Sequence, residues 1–234
     1  MSCIDIIEPE RIKVVWKNHR GDGSNFHVAD LLRLNNGNVE FLYNSDSEDF
    51  KSAKELGFEG YFAFPLKQSL SFRDGVMSVL SRRLPPRSRS DFNNFLEQWA
   101  IPKEQDISDF ALLGYSRGAL PGDDFSFYPY WEDYDLPCSF LIEVAGFRYS
   151  DGMGMNLSPE SEIVFRKSPD NPKDARAISI WADGCHIGFV NRTLTTAFHK
   201  WLDMGVEVDS SVYRVNGTET RPRVHLHLCV GKNS

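Results

Sequence analysis

Three short segments of the 234-residue chain gather rings, cations and short polar side chains. GFRYS places Arg148 beside Tyr149. SPDNPKDARAI holds Asp170, Asn171, Lys173 and Asp174 in a proline-fixed turn, and HIGFVNRTL contributes Gly188, Phe189, Asn191 and Arg192. A single-strand binder uses these residue types: rings stack on bases, arginine and lysine neutralise phosphates, and a short carboxylate or amide meets a sugar hydroxyl. Gly188 allows the backbone to approach closely. The same residues also have a plainer use. Asp and Asn in such a turn cap their own backbone, and Phe147 and Phe189 have the character of core residues.

Other chemistries fit less well. The chain contains no HExxH motif. GYSRGALPG is rich in glycine, but it lacks the Lys-Ser/Thr pair of a phosphate-binding loop. His225 and His227 alternate on one apolar segment, so their rings share a face and read as structural. Asp123 and Asp124 have no matched partner for acid–base work. The expectation is a protein without catalytic activity, cofactor or bound metal. Cys3, Cys138, Cys185 and Cys229 are isolated and form no CxxC pair, as in a reduced cytoplasmic protein. A zinc site from Cys185, His186, His225 and His227 is disfavoured, because neighbours on a strand point to opposite faces. No apolar run approaches the roughly 18 residues of a membrane span, and MSCIDIIEPERIK has no stretch of the signal-peptide kind. A cytoplasmic location follows as the expectation, with no membrane partner.

The net charge of −7 lies wholly in residues 1–137, while residues 138–234 balance at zero. The molecule as a whole is therefore not a generic polyanion binder. Two runs break the average. Arg82, Arg83, Arg87 and Arg89 make a basic turn in SRRLPPRSRSD, and they are candidates to meet a carboxylate or phosphate of a partner. Asp123, Asp124, Glu132, Asp133 and Asp135 read as a solvated acidic loop.

These groups need elements to position them. RIKVVWK alternates as a strand, and HVADLLRLNNGNVEFLYN reads as a hairpin turning at Asn35–Asn38. Short helices are predicted in SDSEDFKSAKELG, in FRDGVMSVLSRRL up to Pro85-Pro86, in RSRSDFNNFLEQWAI and in SDFALLGYSRGALP. Beyond the acidic stretch the texture changes to short β-branched and aromatic runs: CSFLIEVAGFRY, SEIVFRK, AISIWA, HIGFVN and VHLHLCV. One helix, TLTTAFHKWLDMG, lies among them with Thr193 as its cap. The pattern predicts an α+β chain of two domains: residues 1–136 as a mixed sheet-and-helix domain and residues 137–234 as a mostly-β barrel.

Residues from about 138 to 231 resemble the HIRAN domain. The features are GFRY, then FRKSPDNPKDARAISIW, then HIGFVNRTLTTAFHKWLDMG, then RPRVHLHLCVG. The central signature is DNP-x-D-x-x-AI followed by IG-x-V-x-R. The resemblance implies an OB-like barrel that captures the 3′ end of single-stranded DNA. It implies that Arg148 and Tyr149 hold the terminal nucleotide or its phosphate, and that Asp174 accepts from the terminal 3′-hydroxyl. Lys173 stands where the family commonly has tyrosine, and Phe189 where the helicase version has histidine.

Residues from about 11 to 128 resemble, more weakly, the N-terminal subdomain of HipA-type kinases, in GNVEFLYN, GYFAFPLKQSL, VMSVLSRRLPP and FALLGYSRGALPGDDFSFYP. No kinase core follows. The combined expectation is a non-enzymatic accessory factor for DNA repair or for phage- or toxin-related defence. It binds single-stranded DNA or 3′ ends through Arg148, Tyr149, Asp170, Asn171, Lys173, Asp174, Gly188, Phe189 and Arg192. The alternative implied by the second resemblance is an antitoxin-like subunit that binds a separately encoded HipA-type kinase.

Overall fold

RIKVVWK has charge at its ends and apolar side chains between. In the computed structural model it forms strand β1 (Arg11–Lys17), with residues 12–16 buried on both faces. The structure describes residues 6–19, 21, 23–134 and 136–231. They divide into two compact units. Of these residues, the first holds those within 7–98 and 103–130; the second holds Ile6, Trp99–Pro102 and those of 131–134 and 136–231.

In the first unit, β1 pairs antiparallel with β2 (Asn25–Arg33), and β2 pairs with β3 (Val39–Tyr43) across the expected Asn35–Asn38 turn. Strand β4 (Gly60–Tyr61) pairs with β5 (Phe64–Pro65) as a separate small ribbon. Strands β6 (Ser71–Phe72) and β7 (Phe125–Pro129) then complete a five-stranded sheet of order β6-β3-β2-β1-β7. Four helices accompany it: α1 (Glu48–Glu55), α2 (Val76–Leu80), α3 (Phe92–Gln98) and α4 (Asp109–Tyr115). The Ser47 and Ser108 hydroxyls cap α1 and α4 by accepting from Phe50 N and Ala111 N. Helix α4 lies so close to β7 that a Cβ on Gly114 would come 2.8 Å from the Pro129 ring.

Two sequence expectations need correction here. The acidic stretch is not loop throughout, because FSFYP within it is strand β7, pairing with β1 from Ile12↔Pro129 to Trp16↔Phe125. The flanking aspartates hid an apolar edge. The arginine turn is also not free to meet a partner as a whole. Arg83 is buried and binds the Asp123 carboxylate, the Gly118 carbonyl at 2.8 Å and the Tyr61 hydroxyl at 2.6 Å. Arg87 donates to Asp109 at 2.7 and 2.9 Å, and Arg89 forms a two-pronged pair with Asp91. Only Arg82 of the four is exposed and outside these bonds.

A second internal network surrounds buried Asp30. Burial raises its carboxyl pKa, but His27 Nε2 at 2.8 Å, the Tyr130 hydroxyl at 2.6 Å and the Arg11 guanidinium at 3.8 Å outweigh that. The result lies below the ordinary carboxylate value. A depressed acid stabilises the fold above its unfolded pKa of about 3.9, and that contribution is lost as pH falls through the lower folded value. Urea midpoints measured from pH 6 to pH 3 should therefore fall less steeply for Asp30→Asn than for the wild type. Parallel curves would remove Asp30 as a source of acid sensitivity.

The second unit contains β8 (Cys138–Glu143), β9 (Ile163–Lys167), β10 (Ile178–Ala182), β11 (Cys185–Phe189), α5 (Thr195–Asp203), β12 (Val208–Thr218) and β13 (Arg221–Val230). Its strands form two separate three-stranded antiparallel sheets, β11-β10-β9 and β12-β13-β8. Where the sequence suggests a barrel or a half-open sheet, the described strands form two open sheets with no closed ladder among them. One bridge, Ala145↔Phe189, joins the segment after β8 to β11. Helix α5 supplies the shared core. Phe198 meets Phe165 of β9 at 4.9 Å between centroids, Trp201 meets Phe140 of β8 at 6.2 Å, and Trp131 stacks on Phe140 at 3.9 Å. Each fully buried ring of this kind contributes about 1.5–3 kcal/mol. The cap at this helix also differs from expectation. Asn191 accepts from Thr193 N to open a helical turn over Arg192–Leu194, and α5 follows without a side-chain cap of its own.

Candidate nucleic-acid interface

The outer face of β11-β10-β9 is built by strand alternation. Along β10, Ile178, Ile180 and Ala182 turn inward and are fully buried, which sends Ser179 and Trp181 to the opposite face. On β9, Phe165 goes inward and Arg166 outward. On β11, residues 186 and 189 are an odd number apart and would ordinarily point to opposite faces. The register between β10 and β11 slips between Ile180 and Trp181, so that Ile180 faces Gly188 and Trp181 faces His186. That bulge restores the phase. The His186 and Phe189 rings consequently meet edge-on at 4.9 Å, and His186 meets Trp181 at 5.4 Å.

Gly188 sits at the bulge with φ +138°. A Cβ there would fall 2.5 Å from the Ala145 carbonyl oxygen and 2.7 Å from Val144 Cγ1. Its lack of a side chain lets Ala145 and Phe189 exchange two backbone hydrogen bonds of 2.8 Å. These bonds fix the helical turn Phe147–Tyr149 beside β11. Phe147 is buried in the core, as its plainer reading held, whereas Phe189 is half-exposed. Tyr149 projects into solvent at 78% exposure, with the Arg148 guanidinium 4.4 Å over its ring.

The turn between β9 and β10 is held by its own side chains, as its plainer reading also anticipated. Asn171 Oδ1 accepts from Lys173 N at 2.9 Å and from Asp174 N at 3.2 Å, and Asp174 Oδ1 accepts from Arg176 N at 2.8 Å. The turn still faces a ligand-sized space. A hollow of about 310 Å³ is lined by Tyr149, Asn171, Lys173, Asp174, Phe189 and Arg192, with Gly146, Gly188 and Thr195 on its walls. Three distant segments therefore meet at one opening.

A second hollow, of about 390 Å³, lies against it and shares Asn171, His186 and Phe189 as common wall. Its other lining includes Asp170, Arg166, Lys167, Ser179 and Trp181. Of the nine residues expected at a nucleic-acid site, seven line the first hollow and Asp170 lines the second. Arg148 lines neither and reaches the site only through the Tyr149 ring. The sequence reading missed Arg166, Trp181 and His186. The period-2 pattern of ISIWA, with a serine and a tryptophan opposite two isoleucines, carried the signal for Trp181.

Chemically, the first hollow offers a carboxylate, an amide, two long cations and three rings. Asp174 is half-buried, while Lys173 and Arg192 are exposed at the rim. Among the described residues, no three His, Cys, Asp or Glu side chains group as metal ligands, and no helix is long and apolar enough to cross a membrane.

Residues 138–230 match the family model of the HIRAN domain. The match begins on the first residue of β8 and ends on the last residue of β13. Among solved structures, the chain is similar to the HIRAN domain of human HLTF, with 25% identity over 40% of this chain and 76% of that one and a TM-score of 0.33. A protein from Lactobacillus plantarum is similar over 40% of this chain and 94% of that one, with 17% identity and a TM-score of 0.33. No curated protein matches the chain.

Proposed function

We propose that the second unit captures the end of a single DNA strand, with the terminal nucleotide in the first hollow, and that it does so without catalysing a reaction. The convergence of Tyr149, Lys173, Asp174, Phe189 and Arg192 on one hollow of about 310 Å³ carries this reading. The volume lies at the lower end of small-ligand pockets, which suits one nucleotide and not a duplex. The HIRAN family match over these same residues supports it independently.

The roles follow from the chemistry. Tyr149 and Phe189 offer ring faces and edges to an unstacked base. Lys173 and Arg192 meet backbone phosphates as charge-assisted donors. Asp174 uses Oδ1 to hold the turn and presents Oδ2 to a sugar hydroxyl. Arg148, 4.4 Å over the Tyr149 ring, fixes the pitch of that ring. The carboxylate also sets end preference. It accepts a hydrogen bond from a 3′-hydroxyl but repels a 3′-phosphate.

An end-labelled single strand bearing a 3′-hydroxyl should bind at least tenfold more tightly than the same strand bearing a 3′-phosphate, read by fluorescence anisotropy. Asp174→Asn keeps the cap on Arg176 N and should narrow that ratio. Equal affinity for the two strands in the wild-type protein would defeat the proposal.

A further inference from the structure

The outer face of β11-β10-β9 continues from the first hollow into the second without a break. Phe189 and His186 belong to both hollows, and Trp181 and Arg166 belong to the second. Successive rings stand 4.9 and 5.4 Å apart, and the Arg166 guanidinium lies 5.0 Å over the indole. Trp181 is half-exposed, and its Nε1 donates to Ser179 Oγ at 3.0 Å. Ser179 Oγ in turn donates to the Arg166 carbonyl at 3.1 Å. The indole is thus held in one orientation from beneath, while the exposed Arg166 guanidinium lies over its ring.

We infer that this ring-and-cation platform is an extension subsite, on which the nucleotides preceding the strand terminus stack against Phe189, His186 and Trp181. This rests on the reading of the first hollow as the seat of the terminal nucleotide. Three observations select nucleic acid as the occupant. The platform is continuous with that hollow through shared walls. Its rings are separate steps and not one apolar patch, and every base has a face to stack on such a step. Arg166 supplies positive charge at the outer edge, as a phosphate backbone running over the rings requires.

Stacked nucleotides rise about 3.4 Å each along a strand, so the two ring steps accommodate about two more bases. On binding, a base takes the place of the Arg166 guanidinium over the indole, and the freed cation turns to the adjoining phosphate. The platform therefore makes affinity depend on strand length, whereas the first hollow makes it depend on the chemistry of the end.

The test titrates 3′-hydroxyl dinucleotide and pentanucleotide thymidine strands into the full chain, following intrinsic fluorescence and calorimetry. The wild type should bind the pentanucleotide more tightly than the dinucleotide. Trp181→Ala should weaken pentanucleotide binding about tenfold, the size of one lost base–ring stack, with the dinucleotide changed little. Trp181→Phe should restore most of the loss. Arg166→Ala, at an exposed position, should reduce the same length-dependent gain and lower its salt dependence. A pentanucleotide bound equally by wild type, Trp181→Ala and Arg166→Ala would overturn the inference while leaving the terminal seat intact. If instead length dependence vanished on Trp181→Ala but 3′-hydroxyl and 3′-phosphate strands bound alike, the platform would stand and the terminal seat would fail.

Discussion

Arg83→Ala is expected to destabilise the first unit by about 3–5 kcal/mol, the usual cost of breaking a buried ion pair from one side. The guanidinium is almost fully buried, and its nitrogens bind Asp123, the Gly118 carbonyl and the Tyr61 hydroxyl. Its carbon lies 5.2 and 5.1 Å from the Tyr61 and Phe127 ring centres, so the cation is also sandwiched by π-faces. Removing it strands two buried polar groups and leaves a cavity between the rings. Asp123→Asn should cost less, because the guanidinium keeps its carbonyl and hydroxyl partners. Urea unfolding followed by circular dichroism reads both. A midpoint for Arg83→Ala within experimental error of the wild type would show that the network contributes nothing to stability.

The second large effect concerns Gly188→Ala. The added methyl would meet the Ala145 carbonyl oxygen at 2.5 Å, which is backbone and cannot swing away, and the residue would have to keep φ near +138°. Overpacking and backbone strain each cost about 1–3 kcal/mol. The variant relieves the clash only by parting Ala145 from Phe189, and that moves the Phe147–Tyr149 turn away from β11. Loss of strand binding by at least tenfold should therefore exceed what the fall in stability explains. Anisotropy titrations under conditions where circular dichroism shows the variant folded separate the two. Wild-type affinity in a folded Gly188→Ala protein would mean that the bridge does not position the site.

Much of the local structure was legible because it depends on neighbours in sequence. The Asn35–Asn38 turn, the short helix in SDSEDFKSAKELG and the stop at Pro85-Pro86 each follow from residue types within a few positions of one another. What was illegible depends on partners far away. Strand β7 lies between aspartates, and it is a strand because β1 offers it an edge. Strand β12, VDSSVYRVNGT, has little apolar alternation, and its long pairing with β13 decides its conformation. Barrel closure needs edges to meet, and among the described residues one isolated bridge, Ala145↔Phe189, links the segment after β8 to β11. The arginine turn misled for the same reason: Asp123 lies forty residues from Arg83.

The candidate site divides likewise. Tyr149, Asn171, Lys173, Asp174 and Phe189 were visible as rings, a cation and short polar side chains gathered in three short segments. Trp181 and Arg166 lay in runs that read as core strand. The bulge that brings His186 and Phe189 to one face cannot be deduced without the β10 register.

The two-sided character of β10 has an evolutionary consequence. Ile178, Ile180 and Ala182 maintain the protein from beneath, while Ser179 and Trp181 address whatever lies above. Substitutions on the upper row alter taste without endangering the foundation. A change on the lower row, by contrast, falls on side chains with no exposed surface and disturbs the core itself. Gly188 enjoys no such freedom, because a single α-carbon serves both tasks at once.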